Sequence, residues 1–349
     1  MTRDLIVGVD IGGTKTAILV TEPDGSVRVR RVAPTAVGSP NRAADSIASL
    51  VQAALEEGSA TPDDVAALGV GVPGRVDRET GHVTLAVNLD WHDLPLGPRL
   101  EARLGVPTVV ENDVRAAALG LHRRRLFGSI ESLALLAIGT GISAGVVLDG
   151  RLHRGSLGLA GEIGHVVFDR NGPRCACGNT GCFEAVAAGP AIVARTGAGW
   201  AARRHAESHG AEDSAREHAR TLASAEGVFA AAARGDDVAA EVVESTGAAI
   251  AWGIHLLALA YDVERIVLGG GVSHAGEPFM APIWRELDRY RAVSPLAAEV
   301  LRPNLVQLLP PGADAGAWGA VTIARDALVR DRQPPDAGVA PEERLVGHA

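Results

Sequence analysis

Three cysteines and one histidine lie within a short glycine-rich segment, residues 161–184. Their spacing is His-x9-Cys-x-Cys-x4-Cys, with His165, Cys175, Cys177 and Cys182 as donors. Three thiolates and one imidazole form the ligand set of a closed structural zinc site, in which four protein ligands leave no open position for water. Buried thiols, or one disulfide with a spare cysteine, are the alternatives. The odd cysteine count and the lack of any sign of an oxidising compartment favour zinc.

A second candidate site is a turn between two apolar runs near the N-terminus. The runs cover residues 5–9 and 17–21, and the turn reads Asp10-Ile-Gly-Gly-Thr-Lys15. Backbone N–H groups and a hydroxyl in such a unit can cradle phosphate oxygens. The glycine spacing matches neither a P-loop nor a Rossmann dinucleotide-binding turn. An ordinary hairpin accounts for these residues equally well, so the turn alone leaves phosphate binding open.

The same arrangement, two apolar runs joined by a glycine-containing turn, recurs later in the chain. Residues 133–150 again place a Gly/Thr turn, at 139–141, between two apolar runs, and an Asp-Gly turn follows both blocks. A repeated strand–loop–strand unit suggests two related halves that face one another. Their loops could hold one polyphosphate from both sides. A third glycine cluster, residues 269–271, follows an apolar run and would let a nucleoside approach the backbone closely.

A polar pair, Asn112 and Asp113, separates an apolar strand from a helical segment. A carboxylate at this place, opening onto a cleft, can accept the proton of a hydroxyl that attacks phosphorus. Asn and Asp also favour the N-cap of a helix, and on chemistry alone the cap is the stronger interpretation of Asp113. His165 could bind zinc with one ring nitrogen and donate a hydrogen bond with the other. The donors and acceptors that suit a polyhydroxylated ligand are Asn88, Glu162, His165 and Glu184.

The charge balance of the whole chain limits its partners. Among 349 residues, 33 Lys plus Arg stand against 42 Asp plus Glu, for a net charge of −9. This balance argues against a general binder of nucleic acid or anionic membranes. The first apolar run is too short for a signal peptide, and the longest apolar stretches, residues 133–148 and 248–260, are too short for a membrane span. We therefore expect a cytoplasmic protein.

Strand-like and helix-like segments alternate along the chain, which indicates an α/β fold with mixed sheets. Residues 201–220, rich in Arg, His and Glu, look like a solvated helix or a mobile excursion. The Pro-rich, charged tail from Asp331 onward is expected to be disordered. Apolar patterning predicts strands at 65–72 and 108–110, helices at 42–57 and 114–121, and a buried helix at 248–261.

Taken in chain order, the short motifs resemble those of the ROK family of bacterial sugar kinases and related repressors. Any one motif is weak, but the ordered set extends from about residue 5 to about residue 325 and includes the cysteine loop. The resemblance implies a two-lobed actin/hexokinase-like ATPase fold, with duplicated mixed β-sheet domains around a central cleft. The motifs are Asp10-Ile-Gly-Gly-Thr-Lys15, Glu111-Asn-Asp113, Ile138-Gly-Thr-Gly-Ile142, Gly161-Glu-Ile-Gly-His165, Cys175-Ala-Cys-Gly-Asn-Thr-Gly-Cys182-Phe-Glu184 and Leu268-Gly-Gly-Gly-Val272.

The resemblance implies ATP-dependent phosphorylation of a hexose, typically at the 6-hydroxyl, with Mg2+ and a structural Zn2+. It makes Asp113 the expected catalytic base and places Asp10 near Mg2+, acting through water. The residues expected to hold the sugar are Gly74, Asn88, Asn112, Asp113, Glu162, His165 and Glu184. Those expected by the phosphates are Gly12, Gly13, Thr14 and Lys15, with Thr140 and Gly141 opposite, and those expected by adenosine are Gly269, Gly270 and Gly271.

The implied lobes divide the chain unequally. Residues 1–118 would form the small lobe, with a helix from about 312–330 packing back onto it. Residues 119–311 would form the large lobe with the zinc loop, and 331–349 the disordered tail. In such kinases the lobes close over the substrates and exclude water. The family commonly forms dimers or tetramers, so a homo-oligomer is expected.

The chain departs from the common family pattern near the expected cleft. Val114-Arg115 stands where the family often has Ala-Asn, Ser143-Ala144 precedes Gly145 where several glycines are common, and Leu121 replaces a common Glu. None of these changes removes a proposed catalytic group. They leave the sugar open, with glucose first, N-acetylmannosamine or N-acetylglucosamine second, and a cyclitol as a further alternative. The preferred phosphoryl donor also stays open.

Two alternative functions lack kinase activity. A sugar-responsive repressor would carry a helix-turn-helix module ahead of the kinase-like part, and the first glycine turn already begins by Asp10. A degenerate, non-catalytic sugar sensor is disfavoured because both Asp10 and Asp113 are present.

Overall fold

The computed structural model describes residues 3–35, 40–206 and 221–331. The strands in this part of the chain form two five-stranded sheets and one three-stranded sheet. The first sheet contains β1 (Leu5–Ile11), β2 (Lys15–Thr21), β3 (Val27–Pro34), β4 (Val65–Val72) and β8 (Thr108–Asn112); the small sheet contains β5 (Arg75–Asp77), β6 (His82–Ala86) and β7 (Trp91–Leu94). The second large sheet contains β9 (Leu133–Ile138), β10 (Ile142–Leu148), β11 (Arg151–His153), β12 (Arg265–Gly269) and β13 (Val306–Leu308).

Helices surround the two large sheets. Residues 201–206 of the predicted 201–220 segment lie in a helix. Residues 207–220 and the tail beyond Asp331 lie outside the described residues. The helices are α1 (Pro40–Glu57), α2 (Leu96–Leu104), α3 (Asp113–Arg123), α4 (Phe183–Ala187), α5 (Gly189–Ala206), α6 (Ala225–Ala233), α7 (Asp237–Tyr261), α8 (Glu277–Val293), α9 (Pro295–Val300) and α10 (Ala315–Asp331).

The two large sheets have the same topology. Their strand orders are β3-β2-β1-β4-β8 and β11-β10-β9-β12-β13. In each sheet the first three strands are antiparallel and the last two add in parallel. This equivalence confirms the predicted α/β fold with duplicated mixed sheets.

Strand β1 is buried on both faces, which explains its nearly continuous apolar sequence. Val7 and Val9 on one face belong to the same core cluster as α1, while Ile6 on the other face packs with α10. Gly8 has no side chain, and a Cβ there would lie about 2.6 Å from α10. The absence of that side chain lets α10 lie directly on the sheet.

Helices α3 and α10 cross between the two sheets. Helix α3 contacts β9 and β10, and α10 contacts α3, β1 and β4. At the crossing, a Cβ on Gly120 would lie 2.7 Å from the Cα of Gly319, so the two backbones meet closely. The space beside this crossing is where the two halves of the fold face one another.

Helix α7 is the one helix in the described ranges long and apolar enough to cross a membrane by composition alone. Of its most apolar window, 61% is buried inside the protein. Its apolar residues belong to the core cluster of the second sheet. The burial is that of a core helix, as the predicted all-round apolar pattern indicates.

Candidate active site

The corner between β8 and α3 positions Asp113. Asn112 caps the helix, because its Oδ1 accepts a hydrogen bond from the Arg115 N–H at 3.1 Å, and its Nδ2 donates to the Gly74 carbonyl at 3.1 Å. Asp113 is the first helical residue, and its Oδ1 accepts from the Val114 N–H at 2.9 Å. Asn112 is therefore the N-cap, a role that the sequence did not assign to one of the two residues. Asp113 instead lines a cavity.

This cavity has a volume of about 530 Å³ and lies between the two sheets. Asp10, at the end of β1, and Asp113 line it on the side of the first sheet. Gly269, the last residue of β12, and Gly270 line it on the side of the second sheet. It thus holds two predicted carboxylates and part of the predicted nucleoside site. Sequence analysis assigned no role in a site to Ser273, His274 or residues 310–316, which also line the cavity.

Both carboxyl groups are less acidic than an ordinary aspartate. Burial, together with the charges of Asp113 and Asp314, raises the pKa of Asp10 to about 7. Burial raises the pKa of Asp113 to about 6, and the charge of Glu162 adds to this, although the hydrogen bond from the Val114 N–H lowers it. An aspartate with a pKa near 6 is ionised at neutral pH and is closer to the optimum for a general base than a free carboxylate.

The turn between β1 and β2 is exposed and braced from the end of β3. The Gly12 N–H donates to the Lys15 carbonyl at 2.9 Å, and Thr35 donates through its hydroxyl to Gly12 O and through its N–H to Thr14 O. Gly13, Thr14 and Lys15 point toward solvent. None of the four turn residues lines the 530 Å³ cavity, although Asp10 immediately before them does.

The structure brings together the second and third glycine clusters. A Cβ on Gly139 would lie 3.8 Å from the backbone nitrogen of Gly271. Gly270 has a φ of +88°, and a Cβ there would lie within 2.7 Å of three backbone atoms of Ile138. Only glycine fits this approach. Thr140 and Gly141 lie at the same loop, with Thr140 exposed.

Some of the residues predicted to hold a sugar are linked to this corner by a hydrogen bond or by their charges. Gly74 is hydrogen-bonded to Asn112, and Asn88 is exposed on the short turn after β6. Burial raises the pKa of Glu162, the charges of His165 and Arg115 lower it, and Glu184 raises it. The charges of His165 and Glu184 therefore act on the Glu162 carboxyl group.

The predicted zinc donors converge on one point. The Cys177 and Cys182 sulfurs are 3.6 Å apart, the Cys175 Sγ is 3.7 Å from His165 Nδ1, and all four donor atoms lie within 4.8 Å of one another. Zinc bonds of about 2.3 Å to sulfur and about 2.0–2.1 Å to nitrogen require separations of this size in a tetrahedron. All three cysteines are free, which contradicts the disulfide alternative. The donor set fits zinc, with His165 Nε2 left for another partner.

A buried ionic cluster beside Asp113 was not foreseen. Glu111 accepts from Arg115 Nε at 3.0 Å and from Arg154 Nε at 2.7 Å, and its side chain is only 2% exposed. Arg115 also donates to the Gly158 carbonyl. The cluster joins β8 to the segment that leads to Glu162. The i,i+4 spacing of Glu111 and Arg115 was a visible signal, but their burial and the third partner were not.

Asp314 is a second residue that sequence analysis missed. It lines the cavity just before α10, forms an ion pair with Arg30, and its charge contributes to the raised pKa of Asp10. Gly316, two residues later, lies against the Asp10 carboxylate. No spacing relative to the other motifs pointed to this segment.

Comparison with known proteins gives consistent matches. The sequence profile of the ROK family matches residues 6–327. A glucokinase of Halalkalibacterium halodurans is 33% identical over 93% of this chain and 92% of its own length, and an N-acetylmannosamine kinase of Citrobacter koseri is 31% identical over 91% and 98%. A crystal structure of a ROK family glucokinase from Streptomyces griseus, in complex with glucose and AMPPNP, aligns with a TM-score of 0.72 at 31% identity, covering 92% of this chain and 99% of that chain.

Proposed function

The chain belongs to the ROK family, and from this premise we propose that it is an ATP-dependent kinase acting on the 6-hydroxyl of a hexose, with glucose as the first candidate. The observation that carries the proposal is the placement of Asp113. It lines a cavity between two equivalent sheets, beside Asp10, and its pKa is about 6. A general base for phosphoryl transfer needs this combination of access and proton affinity.

The proposed step moves one proton and one phosphoryl group. The sugar hydroxyl oxygen attacks the γ-phosphorus of ATP while its proton passes to a carboxylate oxygen of Asp113. The bond between the γ-phosphorus and the β–γ bridging oxygen breaks, and ADP leaves. Mg2+ supplies neutralisation of phosphate charge when bound. Asp10 is the residue proposed to lie by it, and the raised pKa of Asp10, caused by burial and by the charges of Asp113 and Asp314, supports this placement because a cation would offset those charges.

The glycine loops are proposed to receive the nucleotide. Residues 12–15 and 140–141 would lie by the phosphates, and residues 269–271 would contact adenosine. Loops 139–141 and 269–271 meet in the structure, and Gly269 and Gly270 line the same cavity as Asp113. The proposed nucleoside site and the proposed base therefore line one cavity, which supports direct transfer of the γ-phosphoryl group from ATP to the sugar hydroxyl.

The sugar is proposed to lie between the Gly74–Asn112 contact and the group of Glu162, His165 and Glu184, with Asn88 at the edge. Carboxylates and an imidazole are suited to the several hydroxyls of a hexose. A structural zinc held by His165, Cys175, Cys177 and Cys182 would fix His165 so that its Nε2 contacts the sugar. The metal then has a positioning role and takes no part in the chemical step.

Glucose is placed first because the similar proteins include glucokinases and one of them was crystallised with glucose and AMPPNP. N-acetylmannosamine is the second candidate, since a kinase of that name is nearly as similar. One polar contact at C2 is enough to separate these sugars, because an unpaired buried polar group is costly. We further propose a cytoplasmic homo-oligomer, to be checked by light scattering of the purified protein.

The test is Mg2+- and ATP-dependent ADP release with glucose, mannose, fructose, N-acetylglucosamine, N-acetylmannosamine and a cyclitol. Turnover confined to glucose supports the first candidate, and preference for another member of the panel moves the substrate while keeping the reaction. Asp113→Asn is the matched control: it should lose nearly all turnover yet bind sugar in calorimetry. Sugar binding by the wild type without turnover on any substrate would overturn the kinase proposal in favour of a sensor.

A further inference from the structure

Two consecutive helices, α4 and α5, contact the two ends of the second phosphate loop, residues 139–142. Near the start of α4, Glu184 Oε2 accepts a hydrogen bond from the Ile142 N–H at 2.9 Å. At the start of α5, the Gly189 N–H donates to the Gly139 carbonyl at 2.8 Å. The last residue of the loop is therefore tied to α4 and the first to α5, and α4 begins directly after the zinc ligand Cys182.

The contact with Glu184 depends on a missing side chain in the loop. A Cβ on Gly141 would lie 2.6 Å from Glu184 Oε2, closer than real Cβ atoms approach an oxygen. Any larger residue at this position would displace the carboxylate from the Ile142 N–H. Since a carboxylate accepts through both oxygens, holding the loop with Oε2 leaves Oε1 compatible with a sugar contact.

The segment before the cysteines supports the same stretch of backbone. The Ala144 N–H donates to the Gly161 carbonyl at 2.8 Å. A Cβ on Gly164 would overlap the Ile142 carbonyl, so the turn that ends in His165 lies directly on β10. The two flanks of the zinc cluster thus both rest on the start of β10, where the phosphate loop ends.

We propose that Glu184 is a positioning residue for the nucleotide: it holds the backbone of residues 139–142 in the shape that receives the phosphates of ATP. The inference rests on the proposed function, because it takes this loop as a phosphate site. It also extends the role of the zinc cluster. Through α4, the cluster supports the loop that faces the phosphates as well as the residues that face the sugar.

The direct test measures nucleotide binding without sugar. Calorimetry with Mg2+ and AMPPNP would compare the wild type, Glu184→Ala and Glu184→Gln. Alanine removes the acceptor for Ile142, and we expect about tenfold weaker binding, because hydrogen bonds to ionised groups are the strong ones. Glutamine keeps an oxygen acceptor, so it should recover most of the nucleotide affinity while still raising KM for the sugar. Glu162→Gln is the matched control, since it alters the sugar side and leaves the Ile142 contact in place.

Hydrogen exchange supplies a second measurement that needs neither substrate. The Ile142 amide should exchange faster in Glu184→Ala than in the wild type and stay protected in Glu184→Gln, with zinc content equal in all variants. If the wild type binds AMPPNP and Glu184→Ala binds it equally well, with the Ile142 amide still protected, the inference is wrong and the kinase proposal stands. If the wild type itself binds no AMPPNP, the kinase proposal fails and the inference fails with it.

Discussion

Gly316→Ala is expected to disable catalysis through a single methyl group. Helix α10 passes so close to β1 that a Cβ on Gly316 would lie within 2.7 Å of all three atoms of the Asp10 carboxylate. Carbon and oxygen atoms that are not bonded normally stay well beyond 3 Å apart, so the carboxylate must move by about 1 Å. A displacement of this size at a catalytic group can cost about 10²-fold in rate.

We therefore expect kcat of Gly316→Ala to fall by roughly 10²-fold, with sugar affinity unchanged. Overpacking should also lower the free energy of unfolding by about 1–3 kcal/mol. Steady-state kinetics and urea unfolding measure the two effects. Gly247→Ala is the matched control, because its Cβ would collide with Pro282 of α8, and neither residue lines the cavity. It should lose stability and keep kcat.

A double-mutant cycle isolates the cause. If the methyl group acts through the Asp10 side chain, Gly316→Ala should cost little stability in an Asp10→Ala background, because the colliding atoms are gone. A Gly316→Ala enzyme whose kcat stays within about threefold of the wild type would refute the reasoning. It would show that Asp10 has room to move or does not act in the reaction.

Three other predictions follow from the site. Because the pKa of Asp113 is raised to about 6 and the base must be ionised, kcat/KM should fall about tenfold per pH unit below pH 6 and level off above it; an acid limb near pH 4 would contradict this. Purified protein should contain zinc, and chelation or Cys177→Ser should loosen the loop in hydrogen exchange and weaken sugar binding; metal-free protein with full sugar affinity would exclude the site. Glu111→Gln should destabilise the protein by about 3–5 kcal/mol in urea unfolding, because Arg115 and Arg154 lose their shared buried counter-charge; a loss below about 1 kcal/mol would mean that solvent reaches the cluster.

Features encoded by short spacing were predictable. The four zinc donors fall within 18 positions, from His165 to Cys182, so chain connectivity alone keeps them close. The two strand–turn–strand blocks were recognisable because alternation and turn residues are local signals. Their repetition predicted the pair of equivalent sheets. The strand at Val65–Val72 has the predicted bounds, because a strand that is buried on both faces has a continuous apolar sequence.

The sequence could not decide between cap and base for Asp113, because both roles use the same residue types before a helix. The structure assigns the cap to Asn112 through its bond from Arg115. This assignment depends on side-chain direction, which no spacing rule specifies. The raised pKa values likewise depend on tertiary burial, and that of Asp10 depends also on the charges of Asp113 and Asp314, which lie about one hundred and about three hundred residues away in sequence.

What the sequence determined by itself is the inventory: a Cys3His metal set, two glycine turns with a third glycine cluster, an aspartate after a strand, and a duplicated α/β plan. What only the tertiary structure decided is which of these groups touch. Glu184 meets Ile142, Glu111 meets Arg154, and Gly316 meets Asp10 across distances along the chain that local patterns do not cover. The physical reason is that periodicity and turn chemistry act over a few residues, whereas these contacts arise from how two sheets and two crossing helices pack.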